Sequence, residues 1–200
     1  STSTARLLAH SLVQAGALRR VASGVYLNRR CFPPAELTEM AGRIRAGAVI
    51  SLQSVLGDCG FLNNPSSIVM AVVPTSASKR PNLGEVKTSG GDVFRFYGLA
   101  ERFFPSAEDD RWALYQPGRP CDMFRPEAAL LQWLYLAGMK RSSVTLPPAD
   151  VDMRLLDEEH LNLLAQQWQL QAELKAWHDQ AKSVGFGEEP HRPHVNMSDK

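Results

Sequence analysis

The chain has 200 residues, of which 44% are hydrophobic and 22% are charged, and this composition excludes a generally disordered protein. No apolar run approaches the length of a membrane-spanning helix, and the length suits one large domain or a small domain joined to a medium-sized one. Three cysteines without a Cys-x-x-Cys pair predict neither a disulfide framework nor a zinc site, so the reducing cytoplasm is the expected location. They are Cys31, Cys59 and Cys121.

The formal net charge of +1 hides an uneven distribution along the chain. Residues 1–45 contain seven arginines and two acidic residues, which gives this segment a charge of +5 and leaves −4 for the remainder. A basic cluster of this kind attracts phosphate and supplies the salt-sensitive part of nucleic-acid affinity. Judged by charge alone, a solvated arginine face is a better explanation than a nucleic-acid site. A nucleic-acid interpretation therefore also needs a sequence pattern that predicts a DNA-binding fold. The arginines are Arg6, Arg19, Arg20, Arg29, Arg30, Arg43 and Arg45.

The first 32 residues carry the pattern of a helix that leads into a tight β-hairpin. Leu8 and Leu12 are four residues apart and share one helical face. Gly16 is predicted to end the helix in a left-handed conformation, which a residue without a Cβ adopts readily. Branched and aromatic side chains on either side of an Ala-Ser-Gly turn predict two short strands: Leu18, Val21, Val25 and Tyr26. A winged helix-turn-helix presents its recognition helix and its wing in this order.

The middle of the chain predicts a small sheet beside a short helix. Ser51 is predicted to cap this helix. Strands rich in branched and aromatic residues are expected at residues 67–73 and 92–97. The segment 74–91 between them is full of Ser, Gly, Pro and Lys, so we expect a mobile loop or a ragged hairpin there.

The second half of the chain predicts helices. A Pro-Glu pair opens a predicted helix over residues 126–138, since proline is favoured in the first turn and an acid complements the helix dipole. Asp157 is predicted to cap another helix, and the apolar residues over 170–181 either continue that helix or form a second one.

These elements predict an α+β fold. Residues 1–32 are expected to form an N-terminal winged-helix element, consisting of a recognition helix and a β-hairpin wing. Residues 33–185 are expected to form a mixed α/β domain with a small sheet and C-terminal helices. The polar residues 186–200 are expected to be a disordered tail.

Three stretches of the chain carry a family resemblance. They read Gly-Ala-Leu-Arg-Arg-Val-Ala-Ser-Gly-Val-Tyr (16–26), Gly-Ala-Val-Ile-Ser-Leu-Gln-Ser-Val-Leu (47–56) and Phe-Arg-Pro-Glu-Ala-Ala-Leu-Leu-Gln-Trp-Leu-Tyr-Leu (124–136). In this order they resemble the end of the winged helix, the Ser-Leu-x-Ser-Ala-Leu helix and the Pro-Glu-Lys-Ala-Leu-Leu-Asp helix of the AbiEi-type antitoxins. These proteins are the DNA-binding partners in bacterial toxin–antitoxin pairs.

The chain departs from the family pattern in two ways. A winged helix normally has two helices before its recognition helix, whereas this chain begins on the matching helix itself, so the element is expected to be incomplete or degenerate. In addition, Ala128 and Gln132 stand where the family usually has a basic and an acidic residue.

The resemblance implies a DNA-binding antitoxin that represses its own operon and counters a nucleotidyltransferase-like toxin. Operator DNA and the cognate toxin are the implied partners, no enzymatic activity is implied, and no cofactor or metal is expected. Because adjacent strand residues point in opposite directions, one of the two wing arginines is expected to pack inward or bind an internal carboxylate. The expected DNA contacts are the hydroxyl-rich helix start and three arginines: Ser1, Thr2, Ser3, Thr4, Arg6, Arg19 and Arg20.

A metal-dependent nuclease is one alternative. Glu85 and Lys87 have the Glu-x-Lys spacing of such enzymes, in which the carboxylate holds a divalent ion and the lysine orients the nucleophile. This chemistry needs a second acid on a neighbouring strand, and Asp58 is the candidate at a plausible separation.

A protein-interaction module without DNA binding is another alternative. Aromatic side chains dominate many protein interfaces when they are exposed, although each one is more often part of the protein's own core. The candidates on the predicted helices are Trp133, Tyr135, Trp168 and Trp177.

Overall fold

The computed structural model describes residues 2–33, 35–64, 66–76, 81–105, 114–116 and 121–185. Within them the helices are α1 (Thr2–Gln14), α2 (Ala41–Ile44), α3 (Leu52–Asp58), α4 (Pro126–Gly138), α5 (Glu158–Trp168) and α6 (Gln171–Gly185). The strands are β1 (Leu18–Ala22), β2 (Val25–Asn28), β3 (Val49–Ile50), β4 (Ile68–Thr75), β5 (Asn82–Lys87) and β6 (Val93–Ala100). Short 3-10 turns cover Leu37–Met40, Glu101–Phe103 and Met153–Leu155. The predicted α+β class is confirmed. The expected tail, residues 186–200, lies outside the described residues.

The N-terminal helix and hairpin form as their local signals predict. Gly16 has a φ of 69°, and its N–H donates to the carbonyl of Val13 at 3.0 Å. The N–H of Ala17 donates to the carbonyl of Leu12 at 2.9 Å, so two carbonyls at the end of α1 are satisfied by a Schellman motif. Strands β1 and β2 pair antiparallel around a turn in which Gly24 has a φ of 75°. We refer to residues 2–33, which contain α1, β1 and β2, as the helix–hairpin unit.

A four-stranded sheet with the order β3-β4-β6-β5 forms the centre of the rest of the chain. Strands β4 and β6 are parallel, whereas β3 and β5 pair antiparallel with their neighbours. The expectation of a mobile loop over residues 74–91 is therefore wrong for Asn82–Lys87, which form a strand that pairs with β6 and not with a second strand inside that segment. On this edge strand only Leu83 and Val86 are half-buried, which explains why its sequence looks like a loop.

Helix α4 lies at the centre of the molecule, in contact with α3, α5 and α6. Nearly its whole length is buried, including Ala128 and Gln132, where the resembled family usually has charged residues. The start of α4 is tied to the start of α5, because the buried carboxylate of Glu127 accepts the N–H of Asp157 at 3.0 Å. Asp157 in turn accepts the N–H of His160 at 3.0 Å, which confirms the predicted cap.

Helix α5 ends before α6 begins, so the C-terminal apolar residues form a second helix. Gln169 takes a left-handed conformation with a φ of 60°, and its N–H bonds to the carbonyl of Gln166 at 3.1 Å. The next helix, α6, then begins at Gln171. This break lets Trp168 and Trp177 both pack into the core below the two helices.

The side chain of Ser51 does not cap α3, contrary to the prediction. Ser51 occupies the N-cap position, but its side chain accepts no backbone N–H. Its hydroxyl is fully buried and donates instead to Oε1 of Gln132 on α4. The amide of Gln132 also donates to the carbonyl of Phe103 at 3.3 Å. The polar pair therefore satisfies groups that the packing of α3 against α4 has removed from water.

We expect Gln132→Leu to lower the free energy of unfolding by about 1–3 kcal/mol, because the Ser51 hydroxyl and the Phe103 carbonyl would lose their buried partner. Adding Ser51→Ala removes the hydroxyl that Gln132→Leu leaves without a partner. The free energy of unfolding should therefore fall by less in the double variant than the sum of the decreases in the two single variants. Urea denaturation followed by tryptophan fluorescence measures these values. The exposed Gln167→Leu is the control, with an expected change below about 0.5 kcal/mol. Equal effects at positions 132 and 167 would contradict this account.

Candidate nucleic-acid interface

The helix–hairpin unit is rich in arginine and contains no carboxylate side chain. Residues 1–35 include five arginines and neither Asp nor Glu. Four of the arginine side chains are exposed, and the fifth, Arg19, is half-buried. A positive surface therefore covers this end of the molecule. The exposed arginines are Arg6, Arg20, Arg29 and Arg30.

The predicted contact residues at the start of the chain lie on or beside α1. Ser1 lies outside the described residues, and Thr2 opens α1. Ser3, Thr4 and Arg6 are exposed on the first two turns of the helix. The predicted apolar face is covered only near its C-terminal end, because Leu12 is half-buried whereas Leu8 is 60% exposed.

Arg19 joins the hairpin to the sheet. Its guanidinium forms an ion pair with Asp92, and its Nη2 donates to Oγ1 of Thr88 at 3.4 Å. Both partners lie at the turn between β5 and β6, and the side chains of Arg19 and Asp92 are 26% and 25% exposed. The expectation that one wing arginine binds a carboxylate inside the protein is confirmed for Arg19, while Arg20 on the other side of the strand is exposed.

Hydrogen bonds within the β5–β6 turn hold the carboxylate of Asp92 in place. The hydroxyl of Thr88 donates to Oδ2 of Asp92 at 2.8 Å and accepts the N–H of Asp92 at 3.1 Å. It also accepts the N–H of Gly90 at 3.2 Å. A Cβ on Gly90 would overlap the guanidinium of Arg19, so with any other residue at this position the guanidinium would have to shift.

A second bond ties the same turn to β1, since the hydroxyl of Ser89 donates to the carbonyl of Arg20 at 2.9 Å. A cleft of about 400 Å³ lies where α1, the hairpin and the β5–β6 turn meet. Arg19, Arg20, Arg29 and Ser89 are among the residues that line it. The sequence alone assigns no role to Ser89 or Asp92, because the segment that carries the turn resembles a loop, and it includes Arg29 only as a member of the basic cluster.

The Glu-x-Lys pair lies on the exposed side of the edge strand β5. Glu85 pairs with Arg95 at 3.0 Å and with Lys87 at 3.4 Å. The hydrogen bond from Arg95, followed by the effects of Lys87, holds the pKa of Glu85 below its ordinary value. Within the part of the chain that the structure describes, no group of three His, Cys, Asp or Glu side chains is placed to hold a metal ion. The described geometry thus adds nothing in favour of the nuclease alternative.

The helical tryptophans belong to the core. Trp133, Trp168 and Trp177 are buried, and two of them donate their indole N–H to carbonyls. The acceptors are Thr145, at 2.7 Å from Trp133, and Pro147, at 3.0 Å from Trp177. These side chains therefore stabilise the C-terminal helices and are not exposed anchors for a partner.

The comparisons with known proteins give no family. The chain matches no known family model, no curated protein and no solved structure. Among the described residues, no helix has both the length and the apolar character needed to cross a membrane.

We expect Arg19→Ala to loosen the hairpin from the sheet, with a loss of about 1–2 kcal/mol in the free energy that protects its amides from exchange. Asp92→Asn should have a similar effect, and the double variant should be no worse than the worse single variant, since both break one interaction. Native-state hydrogen exchange of the β1 and β2 amides measures this protection. Arg43→Ala, at an exposed arginine on α2, is the control and should leave the protection unchanged.

Gly90→Ala tests the same contact without removing a charge. The added methyl group should displace the guanidinium of Arg19 and reproduce part of the loss of protection in β1 and β2. Full protection in this variant would mean that Arg19 does not approach Gly90 closely in solution.

Proposed function

We propose that the protein is a DNA-binding antitoxin of the AbiEi type. It represses its own toxin–antitoxin operon and counters a nucleotidyltransferase-like toxin in the cytoplasm, without an enzymatic activity or a cofactor of its own. The observation that carries the DNA-binding part is the helix–hairpin unit, which is free of acidic residues and exposes four arginines. The antitoxin part rests on the resemblance of residues 16–26, 47–56 and 124–136.

The DNA contacts in this proposal come from two sides of the unit. Arg6 and the hydroxyl groups near the start of α1 meet phosphate oxygens or base edges, as helix N-termini do in other DNA-binding proteins. Arg20 extends from the exposed side of β1 and contacts the phosphate backbone of the DNA. Arg19 keeps a quarter of its side chain exposed and positions the wing, adding charge near the same phosphates. The proposed contact residues are Ser1, Thr2, Ser3, Thr4, Arg6, Arg19 and Arg20.

The distribution of charge supports an oriented approach to DNA. The first 45 residues carry +5 and the remainder carries −4, so the molecule has a strong electrostatic asymmetry although its net charge is only +1. A polyanion attracts the basic end and repels the rest, which favours encounters through the helix–hairpin unit.

We expect Arg20→Ala and Arg6→Ala to weaken operator binding and to lower the slope of log affinity against log salt by about 0.9 for each phosphate that is no longer neutralised. Band-shift titrations on the protein's own promoter at several salt concentrations measure both quantities. Arg141→Ala removes the same charge from an exposed position in the second half of the chain and serves as the matched control. If Arg20→Ala and Arg141→Ala gave the same affinity and slope, the wing would have no role in binding.

The antitoxin role has a separate test. Co-expression of the chain with the toxin encoded beside it should restore the growth of toxin-expressing cells. Restored growth with an Arg6→Ala, Arg20→Ala double variant would show that neutralisation does not need the DNA contacts. Growth inhibition that persists with the intact chain would contradict the antitoxin role while leaving repression open to the band-shift test.

A further inference from the structure

We propose that the cleft between the hairpin and the β5–β6 turn binds a phosphate group, with Arg29 as a principal ligand. The inference deepens the proposed function, on which it rests for the DNA backbone as the source of the phosphate. The side chain of Arg29 is exposed and forms no ion pair among the residues that the structure describes, and the resemblance assigns it no role.

The register of the hairpin brings Arg29 next to Arg19. Arg19 pairs with Leu27, and the N–H of Arg29 donates to the carbonyl of Ala17 at 3.0 Å, so the ladder continues by one pair beyond β2. Positions 19, 27 and 29 therefore share one face of the hairpin, the face on which Leu27 is buried and Arg19 meets the sheet. Diagonal neighbours on such a face lie within reach of long side chains. Both guanidinium groups can thus approach one tetrahedral anion in the cleft.

The cleft has an excess of positive charge. Three arginines line it, and no lining residue is acidic. Asp92, beside the cleft, forms its ion pair with Arg19. Among the described residues, no carboxylate forms an ion pair with Arg20 or Arg29. An anion entering the cleft therefore meets the uncompensated guanidinium of Arg29 without having to displace an existing partner, whereas the side chain of Arg20 lies on the opposite face of β1.

Guanidinium groups and hydroxyls are the groups that bind phosphate oxygens best at a protein surface. A guanidinium offers several N–H donors in a planar fork that matches two oxygens of one phosphate. The hydroxyl of Ser89 lines the same cleft, but its proton is donated to the carbonyl of Arg20. While that bond is in place, the hydroxyl cannot donate to a phosphate oxygen. We therefore assign the binding to the arginines and leave Ser89 a positioning role.

The experiment compares Arg29→Ala with Arg30→Ala. The two residues are adjacent and both exposed, and only Arg29 lines the cleft, so the two variants lose the same charge at nearly the same place. The probes are inorganic phosphate, followed through the Nε resonances of the arginines, and a short DNA duplex of arbitrary sequence, followed by fluorescence anisotropy at several salt concentrations. Arg29→Lys keeps the charge but loses the fork, and amide exchange of β1 and β2 confirms that each variant retains the hairpin.

We expect Arg29→Ala to bind both probes about tenfold more weakly than Arg30→Ala, as the loss of one charge-assisted contact predicts. Its salt slope with the duplex should fall by about 0.9, and Arg29→Lys should lie between the two alanine variants. A loss for inorganic phosphate alone would support the site and identify a free phosphate or a nucleotide as its ligand. Equal binding by both alanine variants to both probes would overturn the inference.

These outcomes separate the cleft from the proposed function. Intact chain that fails to bind its operator, combined with phosphate binding that depends on Arg29, would overturn the DNA-binding proposal and support the phosphate site. If Arg29→Ala and Arg30→Ala bound the operator equally well and inorganic phosphate did not bind, the phosphate site would be overturned and the DNA-binding proposal supported.

Discussion

The ion pair between Arg19 and Asp92 fixes the orientation of the basic hairpin on the sheet, where Val21 and Leu27 of the hairpin also pack into the core. It joins the second element of the chain to a turn between two strands of the main sheet. Both side chains are about one-quarter exposed, so their attraction is screened less than that of a fully exposed pair. Thr88 holds the carboxylate in a fixed orientation. A hairpin fixed in this way keeps its exposed arginines at constant spacing, and a rigid set of ligands loses less entropy on binding than a mobile arm.

The alternation of side chains along β1 gives two adjacent arginines different roles. Arg19 faces the sheet and stabilises the joint, whereas Arg20 faces solvent and is available to a partner. The sequence predicts this division but not which arginine takes which role, because the deciding carboxylate lies far along the chain, in a segment rich in Ser and Gly. Asp92 becomes recognisable as the partner only once β5 and β6 form their hairpin.

Elements that depend on near neighbours could be predicted from the sequence, and those that depend on distant contacts could not. Gly16, the proline at the start of α4 and Asp157 mark helix ends through bonds within a few residues. The hydroxyl of Ser51 could not be assigned in this way, since its partner Gln132 is 81 residues away on another helix. Strand β5 is hard to predict because an edge strand with one half-covered face lacks the apolar alternation that identifies inner strands.

The charge at the joint connects the stability of the hairpin to ligand binding. Asp92 neutralises Arg19 at the joint, so the uncompensated charge on the cleft side of the hairpin is that of Arg29. The cleft exists only while the hairpin is docked on the sheet, because Ser89 and Gly90 of the β5–β6 turn line it together with residues of the hairpin. An anion that binds in the cleft therefore stabilises the docked state by an amount set by its concentration relative to its dissociation constant. If the anion is a phosphate of DNA, the contact that supplies affinity also strengthens the joint that positions the other arginines, so that binding and docking favour each other.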